Sequence, residues 1–406
     1  YQERTLLIGC GVAACIADSF KAPIAGVLFA VEVLLVDVTI AAFTPIMIAA
    51  ATGALVSAVV LNENILLVFR EKQTFDYHNI PFYVLLGLFT GLTAVFYARK
   101  FLKTEHFFAH LKFGPYKKAL IGGAVLGILI FVFPTLFGEG YESIKILADK
   151  NPGALLKNTL FEQYSDSSWI LLAFVGFSMF LKAFASGITL GSGGNGGNFA
   201  PSLFLGSYAG YFFSKLLNLA GLTDLPISNF TLVGMAGILS GLFHAPLTAI
   251  FLIAEITGGY DLMIPLMIVA SVSFAVSKGF EKHSLDVKNL ARKGNAFTSN
   301  KDSNILCTLN IEDLVKKDYL TLTADQDMEK ISDLLAHCDQ VVFGVVSPEN
   351  ELEGLVYFDD IREIIFDTSQ IKNTMVKDIM LKPVQTIYLF DSMETVMKKF
   401  EKNLTG

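Results

Sequence analysis

The chain has 406 residues, of which 53% are hydrophobic and 17% charged, and its mean hydropathy is +0.53. That balance excludes an ordinary soluble protein and suits a polytopic membrane protein. The net charge of −7 implies no broad basic surface, which excludes a nucleic-acid partner.

Nearly charge-free runs lie at 38–62, 82–98, 119–138, 167–181, 183–214, 225–243 and 262–277, several close to the roughly 20 residues a spanning helix needs. The chain begins at Tyr1 without a signal peptide and enters an apolar segment, Leu6–Ala17, as expected of a chain cut at its front. Ser19-Phe20-Lys21-Ala22-Pro23 breaks that segment; Ile24–Val38 resumes as a helix carrying Glu32, and Ile40–Leu61 follows. Further helices are expected near Phe82–Phe101, Ala119–Phe137, Trp169–Leu181 and Phe199–Leu217, with 138–168 as a polar region at the membrane edge. Lys278, Lys282, Lys288, Arg292 and Lys293 follow the last apolar run and place that end in the cytoplasm. Cys10, Cys15, Cys307 and Cys338 have no framework or CxxC spacing and read as reduced packing residues.

The first segment returns downstream. Aligning Ala22-Pro23 with Ala245-Pro246, an offset of 223, also pairs Phe20 with Phe243, Gly11 with Gly234, Ala13 with Ala236 and Glu32 with Glu255. After a short slip Pro45-Ile46-Met47 meets Pro265-Leu266-Met267. Such a two-fold repeat with helices broken by Gly or Pro marks transporters whose ion site lies near the bilayer midplane. The same offset puts the first-half partner of Pro201 upstream of Tyr1.

The stretch Gly191-Ser192-Gly193-Gly194-Asn195-Gly196-Gly197-Asn198-Phe199-Ala200-Pro201 is the candidate site. Between Lys182 and Lys215 there is no Asp, Glu, Lys, Arg or His, so an ion held here must be met by backbone dipoles. Pro201 suits the first turn of a helix, which leaves Asn198 and Phe199 as owners of free N–H groups that attract an anion. Two other readings of the glycines are weighed. A dinucleotide loop matches the literal GxGxxG but lacks an acidic residue about 20 positions on; tight helix packing is the bland alternative. Glu32 and Glu255, in apolar helices, read either as anchors paired to backbone N–H or basic groups, or as parts of a proton path. Lys21 and His244, each just before an Ala-Pro, either line a vestibule or snorkel at helix ends. Glu105-His106 with His110 gives HxxxH spacing, but Phe107 stands where HExxH needs its base, so no metal site and no membrane protease is expected.

These residues together resemble the CLC chloride channels and proton/chloride exchangers over about 1–295. Gly197-Asn198-Phe199-Ala200-Pro201 is similar to the family's GxFxP motif, Gly191-Ser192-Gly193 to the GSG before it, and Phe20-Lys21-Ala22-Pro23-Ile24-Ala25-Gly26-Val27-Leu28-Phe29 to FNAPxAGxLF, with Lys21 for Asn. The resemblance implies a homodimer in the inner or plasma membrane with one pore per subunit and chloride held at Gly197–Pro201, chiefly by the amides of Asn198 and Phe199. It also implies a gating glutamate upstream of Tyr1. Two departures bear on mechanism. Val33 stands where many exchangers carry a proton-accepting glutamate, and Asp286 aligns with the family's central tyrosine. Asp286 must then be protonated, turned away, or carried on a differently placed helix.

The tail, about 311–406, alternates strand-like and helix-like pieces (Tyr319–Leu322, Met328–Cys338, Val341–Val346, Leu355–Tyr357, Asp360–Phe366) and then starts over at Val376, Val384–Tyr388 and Met393–Phe400. It resembles a pair of CBS domains, the second cut short. Gly354–Asp360 is similar to the adenosine-binding motif, with Asp360 in the ribose place and Tyr357 for the usual Thr/Ser, so an adenine nucleotide or a purely dimerising tail are the two readings.

The expected architecture is an all-α polytopic membrane domain, an inverted repeat with broken helices at 1–295, joined by a linker at 296–310 to a small α/β CBS-type cytoplasmic part at 311–370 and 371–406. The expected function is chloride transport without catalysis or a required cofactor. Val33 leans it toward a passive channel gated by voltage or pH, with a proton-coupled antiporter as the alternative and a CBS-regulated cation transporter as a remote one. Glu32, Val33 and Asp286 are the candidates for the pore or proton path.

Overall fold

The computed structural model describes residues 2–34, 40–61, 75–148, 152–292, 311–315, 319–328, 331, 340–365, 374–383, 385–391, 393, 395, 396, 399 and 400. The expected linker 296–310, Cys307, Lys293 and most of the expected helix Met328–Cys338 lie outside these residues. Two units divide the chain, Tyr1–Ala296 and Phe297–Gly406.

In the first unit the elements are α1 Gln2–Phe20, α2 Pro23–Phe29 continued by a π turn Ala30–Leu34, α3 Ile40–Val56 continued by Ser57–Leu61, α4 Ile80–Ala109, α5 Pro115–Val132 and α6 Tyr141–Ala148. They continue as α7 Ser168–Gly191, α8 Phe199–Leu219, α9 Ile227–Phe243, α10 Pro246–Ile256, α11 Met263–Phe280 and α12 Leu285–Arg292. Among the described residues, five stretches are long and apolar enough to cross a membrane: Ala42–Val60, Tyr77–Ala109, Pro115–Val132, Ser168–Gly191 and Met263–Lys288. Pro23–Leu34, Ile227–Phe243 and Pro246–Ile256 are apolar but shorter. α9 is apolar all round because it is buried all round, from Asn229 to Phe243. Its backbone touches that of α8: a Cβ on Gly210 would fall 2.0 Å from the Phe230 carbonyl oxygen, and one on Gly234 2.4 Å from that of Gly206. Small residues permit this approach, which replaces the hydrophobic drive that lipid does not supply.

The repeat is visible as backbone geometry. Lys21 and His244 both take the left-handed conformation, at φ 55° and 56°. The next residues, Ala22 and Ala245, have φ/ψ of −125°/74° and −126°/73°, and each is followed by a proline that opens a helix. Broken helices leave N–H groups without intrahelical acceptors, and hydrocarbon offers none. The two halves solve this for each other. Glu255, in the last turn of α10, accepts from Ile24 N at 3.1 Å and Ala25 N at 2.9 Å. Glu32, in the π turn after α2, accepts from Leu247 N at 3.2 Å and from Thr248 N and Oγ1, both at 2.8 Å. Each carboxylate therefore caps the start of the other half's helix, and α2 and α10 run antiparallel.

The second unit holds α13 Ile311–Leu314, β1 Thr321–Leu322, β2 Val342–Val346, β3 Leu352–Tyr357, α14 Phe358–Ile365 and α15 Val376–Ile379. The sheet order is β1-β2-β3, with β1 parallel and β3 antiparallel to β2. Leu322, Met328, Ile331, Phe343, Val345, Val356, Ile361 and Val376 form its core. The described part of the expected Val384–Tyr388 strand, Gln385–Tyr388, carries no strand pairing; Leu381, just before it, bridges to Leu355 instead.

Each capping carboxylate makes charge-assisted bonds to N–H groups that have no other acceptor in lipid. Glu32→Ala and Glu255→Ala should therefore each destabilise the protein by about 2 kcal/mol, read as a lower midpoint of thermal unfolding in detergent, with Glu255→Gln falling between. Unchanged melts in both alanine variants would show that the reciprocal caps carry no stability.

Candidate anion site

The glycine stretch joins α7 to α8, and its glycines divide by role. Gly191 is a packing residue, since a Cβ there would stand 2.6 Å from the Glu105 carbonyl oxygen on α4. Gly193 and Gly197 would meet nothing within 4 Å, and Gly193 has φ 99°. Helix packing thus accounts for the start of the stretch, and its end lies open.

At that end α8 begins. Asn198 is its N-cap residue, with φ −95° and ψ −5°, and among the described residues no side chain caps the helix. Pro201, in the first turn, has no N–H. The first donor to reach an intrahelical acceptor is Ser202 N, which bonds Asn198 O at 3.0 Å. Ala200 thus joins the expected donors Asn198 and Phe199: all three N–H groups precede that bond and have no acceptor among the described residues, next to roughly half a positive charge from the helix dipole. Gly197, Phe199, Ala200 and Pro201 line a cavity of about 790 Å³, together with Glu139, Lys182 and Ser186. The Phe199 ring is held against Phe20, Phe29 and Phe243 at centroid distances of 5.2, 6.0 and 5.8 Å. Phe20 and Phe243 are repeat partners, so both halves converge on this residue.

Two residues of the site escape sequence reasoning. Lys182 bounds the charge-free run in the sequence, yet it lines the same cavity. Its ammonium donates to the carbonyls of Leu136 at 3.3 Å and Gly138 at 2.9 Å and lies 4.5 Å from the Phe204 ring centroid. It is buried, with its Nζ turned to those two carbonyls and to a ring of α8. The signal was present: a lone charge between two apolar runs is a functional candidate by default. Tyr97, on α4, is completely buried, and its hydroxyl donates to Asn198 Oδ1 at 3.2 Å. No motif marks it, because the contact spans 101 positions.

The remaining candidates are placed as follows. Glu32 has its carboxylate on the α10 start, and Val33 packs half-buried against the core. Asp286, in the first turn of α12, is exposed and is not among the residues lining the cavity. α12 is held there by Glu281, which bonds Arg99 of α4 at 2.6 Å and Lys288 of α12. Lys21 Nζ is buried without a hydrogen-bond partner among the described residues, and the His244 ring meets Phe274 edge-on at 5.8 Å. The His106 and His110 rings lie tilted to each other, centroids 3.8 Å apart, on an exposed helix end, and among the described residues no group of three or more metal-ligating side chains occurs. Asp360, in the separate second unit, is exposed in the first turn of α14.

Comparison with known proteins assigns the chain to a family. The voltage gated chloride channel family model matches residues 1–278, and the CBS domain model matches 311–367. The voltage-gated ClC-type chloride channel ClcB of Escherichia coli (strain SMS-3-5 / SECEC) is 28% identical over 293 residues, covering 72% of this chain and 66% of the relative. That of Salmonella typhimurium is 30% identical over 288 residues, covering 70% and 64%. The chain thus spans just under two thirds of the length of these relatives. Two solved structures share the fold. A slow cyanobacterial Cl⁻/H⁺ antiporter has TM-score 0.59 at 22% identity, covering 71% of this chain and 64% of that one. A CLC-type fluoride/proton antiporter has TM-score 0.54 at 24% identity, covering 69% and 65%. The family match takes in both halves of the repeat and the whole open start of α8, and the chain belongs to the voltage gated chloride channel family.

Proposed function

We propose that this chain forms the anion pathway of a chloride transporter that exchanges chloride for protons. The observation that carries the reading is the uncapped start of α8, where the N–H groups of Phe199 and Ala200 open beside a 790 Å³ cavity with the buried Lys182 in its wall. An anion entering there exchanges water for the backbone donors of the helix start, which hold it without a covalent or full ionic partner. The ClcB relatives are named chloride channels, and the family model carries the same description.

On coupling, the valine argument gives way. Val33 favoured a passive channel, whereas two similar folds belong to proton-coupled antiporters, so exchange is the better-supported reading and the channel the second one. The protein works as a homodimer without catalysis. The basic end after α11 faces the cytoplasm, and the CBS unit beyond it serves regulation or dimerisation, with an adenine nucleotide at Asp360 as its ligand in the former case. Exposed apolar side chains on α3 and α5, such as Ile48, Leu55, Leu120 and Phe131, suit contact with lipid or a second subunit.

The test uses the intact protein in chloride-loaded liposomes, following chloride efflux with an internal pH dye. Proton uptake driven by the chloride gradient alone, at controlled voltage, is expected. Efflux without proton movement would return the reading to a channel, and no chloride movement in well-reconstituted protein would end it.

A second expectation separates site from scaffold. A side chain at Gly197 enters open space, so Gly197→Val should fold normally and slow chloride efflux about tenfold, equivalent to ~1.4 kcal/mol of added barrier. Gly191→Ala should instead lower the unfolding midpoint, because its Cβ collides with α4. Normal flux in folded Gly197→Val would remove this residue from the pathway.

A further inference from the structure

Asparagine is a preferred N-cap residue because its side-chain oxygen accepts from the N–H two or three positions on. At Asn198 that option is narrowed, since the third position is Pro201 and only Ala200 N is available. The side chain does not take it: no cap bond forms, and the backbone is helical rather than extended. Oδ1 instead accepts from the Tyr97 hydroxyl at 3.2 Å. Tyr97 is in no position to yield. It is fully buried, lies parallel to the Phe101 ring at 5.8 Å, and has its hydroxyl within reach of Ser186.

We propose that Tyr97 is a positioning residue that keeps the anion site open by holding the Asn198 side chain away from the start of its own helix. The inference rests on the reading that the α8 start receives the anion. Without the tyrosine hydroxyl, Asn198 Oδ1 is left half-buried and unpaired, which is unfavourable. The remedy its own helix offers is Ala200 N, reached by a turn of the Asn198 backbone to the extended conformation of an ordinary N-cap, and that is a donor the anion needs. Self-capping and anion binding then compete for one N–H.

The experiment is chloride titration by calorimetry on the purified intact protein in detergent. Tyr97→Phe should weaken binding about fivefold, the worth of one N-cap bond. Asn198→Ala, which has no side chain to self-cap, sets the reference for the pair, and adding Tyr97→Phe to it should change nothing further. Asn198→Ser supplies an independent arm that leaves the buried tyrosine intact. Serine caps its own helix well and is one bond shorter than asparagine, so it should weaken binding by a similar factor. Equal losses from Tyr97→Phe with and without Asn198 would assign Tyr97 a packing role and overturn the inference, as would serine binding as tightly as alanine. Failure of the wild type to bind chloride would overturn the anion reading itself, and that result is seen before any variant is made.

Discussion

Everything in the membrane unit depends on what meets the N–H groups at the starts of its broken helices. A continuous helix hides its donors along its length and exposes them only at the membrane surface. A helix that begins inside the bilayer presents them where no water waits. Three such starts bear on the site, at Pro23, Pro246 and Phe199. The first two are met by carboxylates, Glu255 and Glu32, each delivered from the opposite repeat. The third is met by no protein side chain among the described residues. The distinction is chemical rather than topological: all three starts carry a proline and a similar dipole, and what differs is whether the fold brings its own anion.

The reciprocal caps also explain why the halves hold together. Each carboxylate is bonded to the backbone of the other half, so separating α2 from α10 would strand two anions and four N–H groups in hydrocarbon. The apolar contacts of a lipid-embedded protein give little preference for protein over lipid, which leaves backbone approach and such polar pairings as the specific forces. The aromatic collar around Phe199 belongs to the same arrangement. Phe20 and Phe243 sit immediately before the two capped starts, and fixing α2 and α10 to each other brings both rings onto Phe199.

Much of this was legible in the chain. The 223-residue offset read from Ala-Pro pairs became matching φ/ψ values at Ala22 and Ala245, because identical local sequences between a left-handed residue and a proline have few conformations to choose from. The open start of α8 was legible from Pro201 and the glycines, since both act through the local backbone. What was not legible is what arrives from elsewhere. That Glu32 and Glu255 have structural anchors is an inference from polarity alone, but that each serves the other's helix is a fact of packing across more than 200 positions. Tyr97 resembles any aromatic residue in a spanning helix until α4 and α8 are brought together. Lys182 was read as the edge of a charge-free run because sequence distance says nothing of the cavity that folds it back beside Ser186 and Gly197.

The placement of the carboxylates bears finally on coupling. Exchange needs a group that takes up and releases a proton within reach of the anion path. Glu32 already accepts three hydrogen bonds, and protonating it would cost one of them and unseat the start of α10. Glu255 is tied in the same way to α2. Val33 has no proton to give. Glu139 and Asp18 differ from both glutamates: each lines the cavity beside the start of α8, and neither caps a helix of the other repeat. A change of charge at either would act across the cavity that Phe199 and Ala200 line, whereas a change at Glu32 would first have to break the fold's own cap. If exchange is the function, as proposed, a proton path through the cavity's own acids demands less of the scaffold than one through the repeat glutamates.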